Sequence, residues 1–341
     1  MKTRALFFTA PAKVEIRQIK LPEPRPGEVL VHSLYSGISA GTELLFYRGL
    51  FPKKLPADST LNTLSHPMEY PLQYGYTVVG KVVEVRDPSE KDWLGKLVFA
   101  FHHHQEHFWI NPAELYPLPE GLAEEKAIFL PNLETAVNLV MDSGPLLGES
   151  AALFGCGVVG LLTGMLLLQH PLEALVWVEP RADRRSVAKE LIKELMEKRP
   201  NPDVLFFGPG EEENLSGKLD FAIEASGSPA AVQQAINAVG FGGRVILGGW
   251  YGEKEIPLQL GGRFHRDRVS IISSQVSTVQ PALSGRWDKS RRFQLVWIWL
   301  KRLPLEKLIT HYFPLEEAAR AFNGLDEGRA GMLQVVLKYQ D

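Results

Sequence analysis

The chain of 341 residues has one cysteine, Cys156. A single thiol excludes an internal disulfide and any metal site built from several thiolates, and it predicts a reducing compartment. Long apolar runs are also missing. The longest, Val158 to Leu168, is too short to span a bilayer, and Met1 to Ile19 carries scattered charges where a secretory leader would have an apolar core. The expectation is a cytoplasmic protein with no membrane partner. Charge of one sign is lacking too: 37 Lys and Arg against 40 Asp and Glu leave a formal net charge of -3. With basic residues scattered apart from one late cluster, no nucleic-acid partner is expected. Internal repeats, low-complexity tracts and long linkers are absent.

What is present is enough for two cores, with 45% hydrophobic residues in a chain longer than most single domains. Lys2 to Val85 carries short alternating segments such as Glu28 to Leu34 and Val78 to Val85, punctuated by Pro22, Pro24, Pro26, Gly27, Gly75 and Gly80. This predicts an all-β, barrel-like first domain over residues 1–131. From Asn132 helices and strands alternate, with strands expected at Ala151–Phe154, Ala174–Val178, Asp203–Phe207, Leu219–Ile223, Arg244–Leu247 and Val269–Ser273. The fold class is therefore α/β, with a doubly wound parallel six-stranded sheet over residues 132–273. The remainder, 274–341, has helical runs near Arg291–Lys301 and Leu315–Asn323 and a strand at Leu333–Lys338, and is expected to rejoin the first domain. Pro52 to Glu69 is the one long irregular segment, read as a mobile loop over a cleft.

Gly155-Cys156-Gly157-Val158-Val159-Gly160 follows the first strand of the second domain and opens a helix. Gly155 allows a tight turn, Gly157 lets backbone N–H groups approach a pyrophosphate, and Gly160 lets helix and strand pack closely. The helix beginning at Val158 then presents its N-terminus to the phosphates. Such a glycine pattern is weak alone, but here a second strand follows and ends on Glu179, an acceptor for ribose hydroxyls. A carboxylate there repels a 2′-phosphate and favours NAD, while Arg181 and Arg184 close behind it keep NADP open.

The order of parts resembles the medium-chain dehydrogenase/reductase superfamily. The resemblance is carried by Arg25-Pro26-Gly27-Glu28-Val29-Leu30-Val31, Ser36-Gly37-Ile38-Ser39-Ala40-Gly41-Thr42-Glu43, Tyr70-Pro71-Leu72-Gln73-Tyr74-Gly75-Tyr76 and Asp220 through Gly249, including Glu224-Ala225-Ser226-Gly227-Ser228-Pro229. Within the superfamily the chain is most similar to zinc-dehydrogenase-like proteins related to bacteriochlorophyllide hydroxyethyl dehydrogenase. The resemblance implies a GroES-like β-barrel catalytic domain, a Rossmann domain, a C-terminus returning to the barrel, and a homodimer joined at the sixth strand. It places Ser226 in the cofactor site, and Thr135, Gly249, Trp250 and Ser273 near the nicotinamide. The ligands of the superfamily's catalytic zinc are missing, however. Ser39 stands at the cysteine, Tyr76 at the histidine, Thr77 at the glutamate and Pro131 near the third ligand, so no metal is expected.

Without zinc, a carbonyl oxygen gaining charge needs hydrogen-bond donors or a proton relay. Thr42, which by resemblance stands at the proton-passing Ser or Thr, Tyr76, His102 and His104 are the candidates. By resemblance Glu43 holds the catalytic domain together. If Lys96–Phe101 continues as a strand, period two puts His102 and His104 on one face. They are then barrel-lining or surface histidines, pocket contacts, or ligands for a metal. Candidate substrate contacts are Ser39, Gln275, Arg286 and Trp287, while Arg291 and Arg292 open a helix and read as a solvated face. These readings lead to an NAD(H)-dependent oxidoreductase moving hydride between nicotinamide and an alcohol/ketone pair without zinc. A zinc-free enone or quinone reductase and a dinucleotide-binding sensor without turnover are the alternatives.

Overall fold

In the computed structural model, which describes residues 1–52, 69–196 and 202–340, the chain divides into two compact units, Met1–Pro131 with Leu300–Asp341, and Asn132–Trp299. The first unit opens with β1 (Lys2–Ala10), β2 (Lys13–Lys20), β3 (Val29–Ile38), α1 (Ala40–Arg48) and β4 (Val78–Val85). It continues through β5 (Leu97–Ala100), β6 (His107–Ile110), β7 (Leu115–Pro117) and α2 (Glu124–Ala127). The chain then runs through α3 (Leu130–Ser143), β8 (Ser150–Phe154), α4 (Val158–Leu167), β9 (Ala174–Val178), α5 (Ala182–Met196) and β10 (Asp203–Phe207). After β11 (Leu219–Glu224), α6 (Pro229–Ala238), β12 (Val239–Leu247), β13 (Ser270–Ser273) and α7 (Lys289–Arg302), it ends with β14 (Ile309–Pro314), α8 (Ala318–Asp326) and β15 (Gln334–Lys338).

In the first unit β1 and β2 form a hairpin, and a second sheet has the order β14-β15-β3-β4-β5-β7 with β6 also on β3. The C-terminus is tied in because β15 pairs antiparallel with β3, Val335 opposite Ile38 and Leu337 opposite Ser36. Leu6, Phe8, Phe46, Phe322, Val335 and Leu337 share the core beneath. The expected all-β domain thus gains a helix, α1. Ser39 precedes it, Gly49 ends it in the left-handed conformation, and Leu44, Leu45, Phe46 and Tyr47 are buried. Four consecutive apolar residues hide a helical period, and that is why the helix was not expected.

The second unit is a wholly parallel sheet in the order β10-β9-β8-β11-β12-β13. Counted within the sheet this is 3-2-1-4-5-6, two mononucleotide-binding halves that meet between β8 and β11. Apolar runs such as Ala151–Phe154 and Leu175–Val178 are buried, as strands covered on both faces require. The returning segment begins at Leu300 and not at 274, since residues 274–299 belong to the second unit. Their anchor is a buried arginine, Arg292. The long irregular segment foreseen from Pro52 to Glu69 lies, over residues 53–68, outside the described residues.

Candidate cofactor and catalytic sites

Strand β8 runs into Gly155, whose φ of +103 favours glycine, and a Cβ there would meet Ser226 Cβ at 2.9 Å. Gly160 packs against the same turn, because its Cβ would fall 2.1 Å from the Gly155 carbonyl oxygen. Gly157 precedes Val158, the first residue of α4, and that helix start has no side-chain cap. Its first N–H groups are thus left to an anion. Between the glycines, burial pushes the Cys156 thiol up to about 12, which makes it an inert filler.

Glu179 directly follows β9, beside this loop, and is buried. Its Oε2 accepts the Cys156 N–H at 2.8 Å and its Oε1 the Arg181 N–H at 2.9 Å. The acid therefore fixes the glycine loop. Arg181 pairs with Asp183 at 2.7 Å. Arg184 approaches the loop, with Nη1 4.0 Å from where a Gly157 Cβ would lie. Its buried Nε has no hydrogen-bond partner, and burial lowers its pKa.

In the second half of the sheet, β11 ends on Glu224, which is fully buried. Its Oε1 accepts the Ser226 N–H at 2.7 Å and the Ser226 hydroxyl, and its Oε2 accepts the Tyr251 hydroxyl. Gly249 abuts the same carboxylate, with Oε2 2.8 Å from where its Cβ would be. Glu224 and Tyr251 thus organise the loops around Ser226 and Gly249, a role the sequence pattern alone did not assign. Trp250 is partly exposed next to them, Thr135 lies on α3 and Ser273 closes β13.

Of the candidate substrate residues of this unit, Gln275 and Trp287 have local side-chain partners, whereas Arg286 is engaged through its backbone carbonyl. Gln275 donates to Ser277 Oγ at 3.0 Å, and the Arg286 carbonyl accepts from Arg291. The Arg291 guanidinium lies 4.0 Å from the centre of the Trp287 ring, covering the face expected to stack on a substrate. Arg292 corrects the expectation of a solvated face. It has no exposed surface and is paired with Glu134 at 2.6 Å, a role that its charge and its place at a helix start conceal.

In the first unit, Ser39, Thr42 and Tyr76 come together. The Tyr76 hydroxyl donates to Ser39 Oγ and lies 3.5 Å from Thr42 Oγ1, and burial pushes its phenol up to about 12. Glu43 accepts the Ser39 N–H through Oε1 at 2.8 Å and faces His104 Nε2 with Oε2 at 2.8 Å, both side chains being fully buried. A carboxylate only accepts, so His104 donates from Nε2. Its Nδ1 lies 2.7 Å from Ser36 Oγ, which in turn shares a hydrogen bond with the Tyr339 hydroxyl at 2.8 Å. Ser36 and Tyr339, 303 residues apart, were not singled out because only the β3–β15 pairing unites them.

His102 and His104 do not share a strand face. β5 stops at Ala100, and residues 101–104 continue without strand pairing. His102 stacks on Phe108 at 3.7 Å, and burial pushes its imidazole down to about 3, so it is neutral at ordinary pH. The superfamily's zinc does not fit this donor set. Ser39 and Tyr76 present hydroxyls bonded to each other, Pro131 offers no side-chain donor, and among the described residues no three His, Cys, Asp or Glu side chains are grouped to hold a metal ion.

Residues 132–335 match the family model described as the glucose dehydrogenase C-terminus. The chain belongs to that family and, with it, to the zinc-type alcohol dehydrogenase-like medium-chain dehydrogenase/reductase superfamily. It is 28% identical over 264 residues to (R,R)-butanediol dehydrogenase of Bacillus subtilis, covering 69% of this chain and 73% of that one. It is 24% identical to 2-desacetyl-2-hydroxyethyl bacteriochlorophyllide A dehydrogenase of Cereibacter sphaeroides over 94% of both. An alcohol dehydrogenase from E. coli CFT073 complexed with NADH superposes with a TM-score of 0.76 at 18% identity, over 99% of both chains. A putative zinc-binding dehydrogenase from Sinorhizobium meliloti bound to NADP gives 0.74 at 19%, again over 99% of both. The fold is thus a GroES-like domain with a Rossmann domain, and the protein is an oxidoreductase that uses a nicotinamide dinucleotide.

Proposed function

We propose that the protein moves hydride between NAD(H) and an alcohol/ketone pair, with hydroxyl groups serving where zinc serves its relatives. The observation that carries this reading is that the Ser39, Tyr76 and Thr42 hydroxyls cluster, at residues that by the sequence resemblance stand at the family's metal-ligand and proton-passing positions. The bound nicotinamide supplies or takes the hydride; the rest falls to these side chains. As a carbonyl oxygen gains negative charge, the Tyr76 hydroxyl donates to it. A phenol held at about 12 keeps its proton at neutral pH yet is still a stronger acid than the alcohol it would protonate. In doing so it turns from Ser39 and Thr42, whose hydroxyls then donate to the phenolate oxygen it leaves. His104 and Glu43, engaged with each other and with Ser36 and the Ser39 backbone, hold the start of α1 in place.

For the cofactor, the buried Glu179 carboxylate supports NAD over NADP, since a 2′-phosphate beside it would be repelled. Relatives named as butanediol and hydroxyethyl bacteriochlorophyllide dehydrogenases support an alcohol/ketone pair over conjugate reduction. The test is to change Thr42→Ala and Tyr76→Phe. NADH affinity should persist while turnover of a ketone falls about 10²-fold or more, as for removal of a preorganised donor. Parental turnover in both variants would remove the hydroxyl cluster from the chemistry.

A further inference from the structure

We propose that Arg292 is a positioning residue that fixes segment 274–280 at the nicotinamide end of the cofactor site. Its guanidinium makes five hydrogen bonds, the full donor capacity of the group. Nε and Nη2 reach Glu134 Oε1 at 3.2 and 2.6 Å, Nη1 reaches Asn138 Oδ1 at 2.5 Å and the Thr278 carbonyl at 3.1 Å, and Nη2 also reaches the Val276 carbonyl. Three of the five go to one face of α3, where Glu134 and Asn138 lie one turn apart. The other two go to the backbone of the segment itself.

The same helix holds both ends of the segment. Asn138 Nδ2 donates to Ser274 Oγ at 2.9 Å, and Gln280 Nε2 donates to the Met141 carbonyl at 2.9 Å. The Ser274 N–H meets the Leu247 carbonyl at 3.0 Å, so the segment leaves β13 in register with the sheet and then folds onto α3. Its location gives the clamp a function. The glycine loop and Glu179 occupy the half built from β8, β9 and β10, where the adenosine diphosphate part binds, which leaves the carboxyl ends of β11, β12 and β13 to the nicotinamide part. Segment 274–280 emerges from the end of β13. Arg292, having no exposed surface, acts on the ligand only through this backbone. A lysine cannot replace it, because three donors on one nitrogen do not span four acceptors in the plane of a fork.

The inference rests on the reading of this unit as a nicotinamide dinucleotide site, and the test separates the two. Calorimetric titrations with NADH and with ADP-ribose, which lacks the nicotinamide, are compared for the parent protein, Arg292→Lys and the milder Ser274→Ala. Arg292→Lys should lose about tenfold or more in NADH affinity and hold ADP-ribose within about twofold, with Ser274→Ala shifted the same way but less. Hydrogen exchange should rise in amides of 274–280 and stay unchanged in 150–160. If Arg292→Lys does not fold, the affinity split and exchange pattern of Ser274→Ala decide. Equal loss of both ligands, or no loss of either, overturns the clamp. A parent protein that binds neither ligand overturns the dinucleotide reading and the clamp with it.

Discussion

Cofactor choice turns on two side chains with opposite charge beside one loop. Glu179 is buried and held by two backbone N–H groups, whereas Arg184 reaches toward Gly157 with a buried Nε that no acceptor satisfies. A fixed carboxylate after the second strand repels a 2′-phosphate, so NADH should bind more tightly than NADPH in calorimetric titration. Equal or tighter NADPH binding would show that Arg184 governs the site. A second side chain sets a pH dependence. Burial lowers His102 from 6.5 to about 3, so between these values the unfolded chain binds more protons than the folded one. The stability contributed by the neutral ring is complete above 6.5 and is lost as pH falls toward 3. His102→Phe keeps an aromatic ring against Phe108. Its melting temperature should drop less than the parent's between about pH 7 and pH 4, and parallel curves in scanning calorimetry would contradict this.

Helix α1 and the loop it follows depend on Glu43 more than on any cap of Ser39, whose side chain makes no capping bond. Glu43→Ala leaves the Ser39 N–H and His104 Nε2 without their buried acceptor. Urea denaturation should show a loss of about 3 kcal/mol or more, the order for two buried donors deprived of a charged partner; a change under about 1 kcal/mol would mean that other acceptors take over. At this scale some structure was plain in the sequence. Val78–Val85, Ala174–Val178 and Asp203–Phe207 are strands at the ends expected, because each is a β-branched or aromatic run bounded by breakers. The glycine loop was legible for the same reason: its spacing encodes a turn and a close approach that only glycine allows. What was not legible depends on partners distant in sequence. Glu43 finds His104, Ser36 finds Tyr339 and Arg292 finds Glu134, and no local period announces any of them. The histidines at 102–104 misled because a strand pattern was extended past Ala100, where pairing stops.

The whole molecule carries one feature that a single chain leaves open. Among the described residues strand β13 pairs with β12 alone, at the end of the six-stranded sheet. An uncovered parallel edge invites a second copy, and sedimentation at micromolar concentration is expected to show a homodimer; a monomer there would count against pairing at this edge. No helix among the described residues is long and apolar enough to cross a membrane. In the function proposed above, the hydroxyls of Ser39, Thr42 and Tyr76 stabilise the alkoxide in place of zinc. The most direct measurement is metal content by mass spectrometry on the purified chain, paired with NADH-monitored ketone turnover before and after exhaustive chelation. Well below one zinc per chain and turnover unchanged by the chelator are expected. Stoichiometric zinc whose removal abolishes turnover, and whose return restores it, would contradict the account.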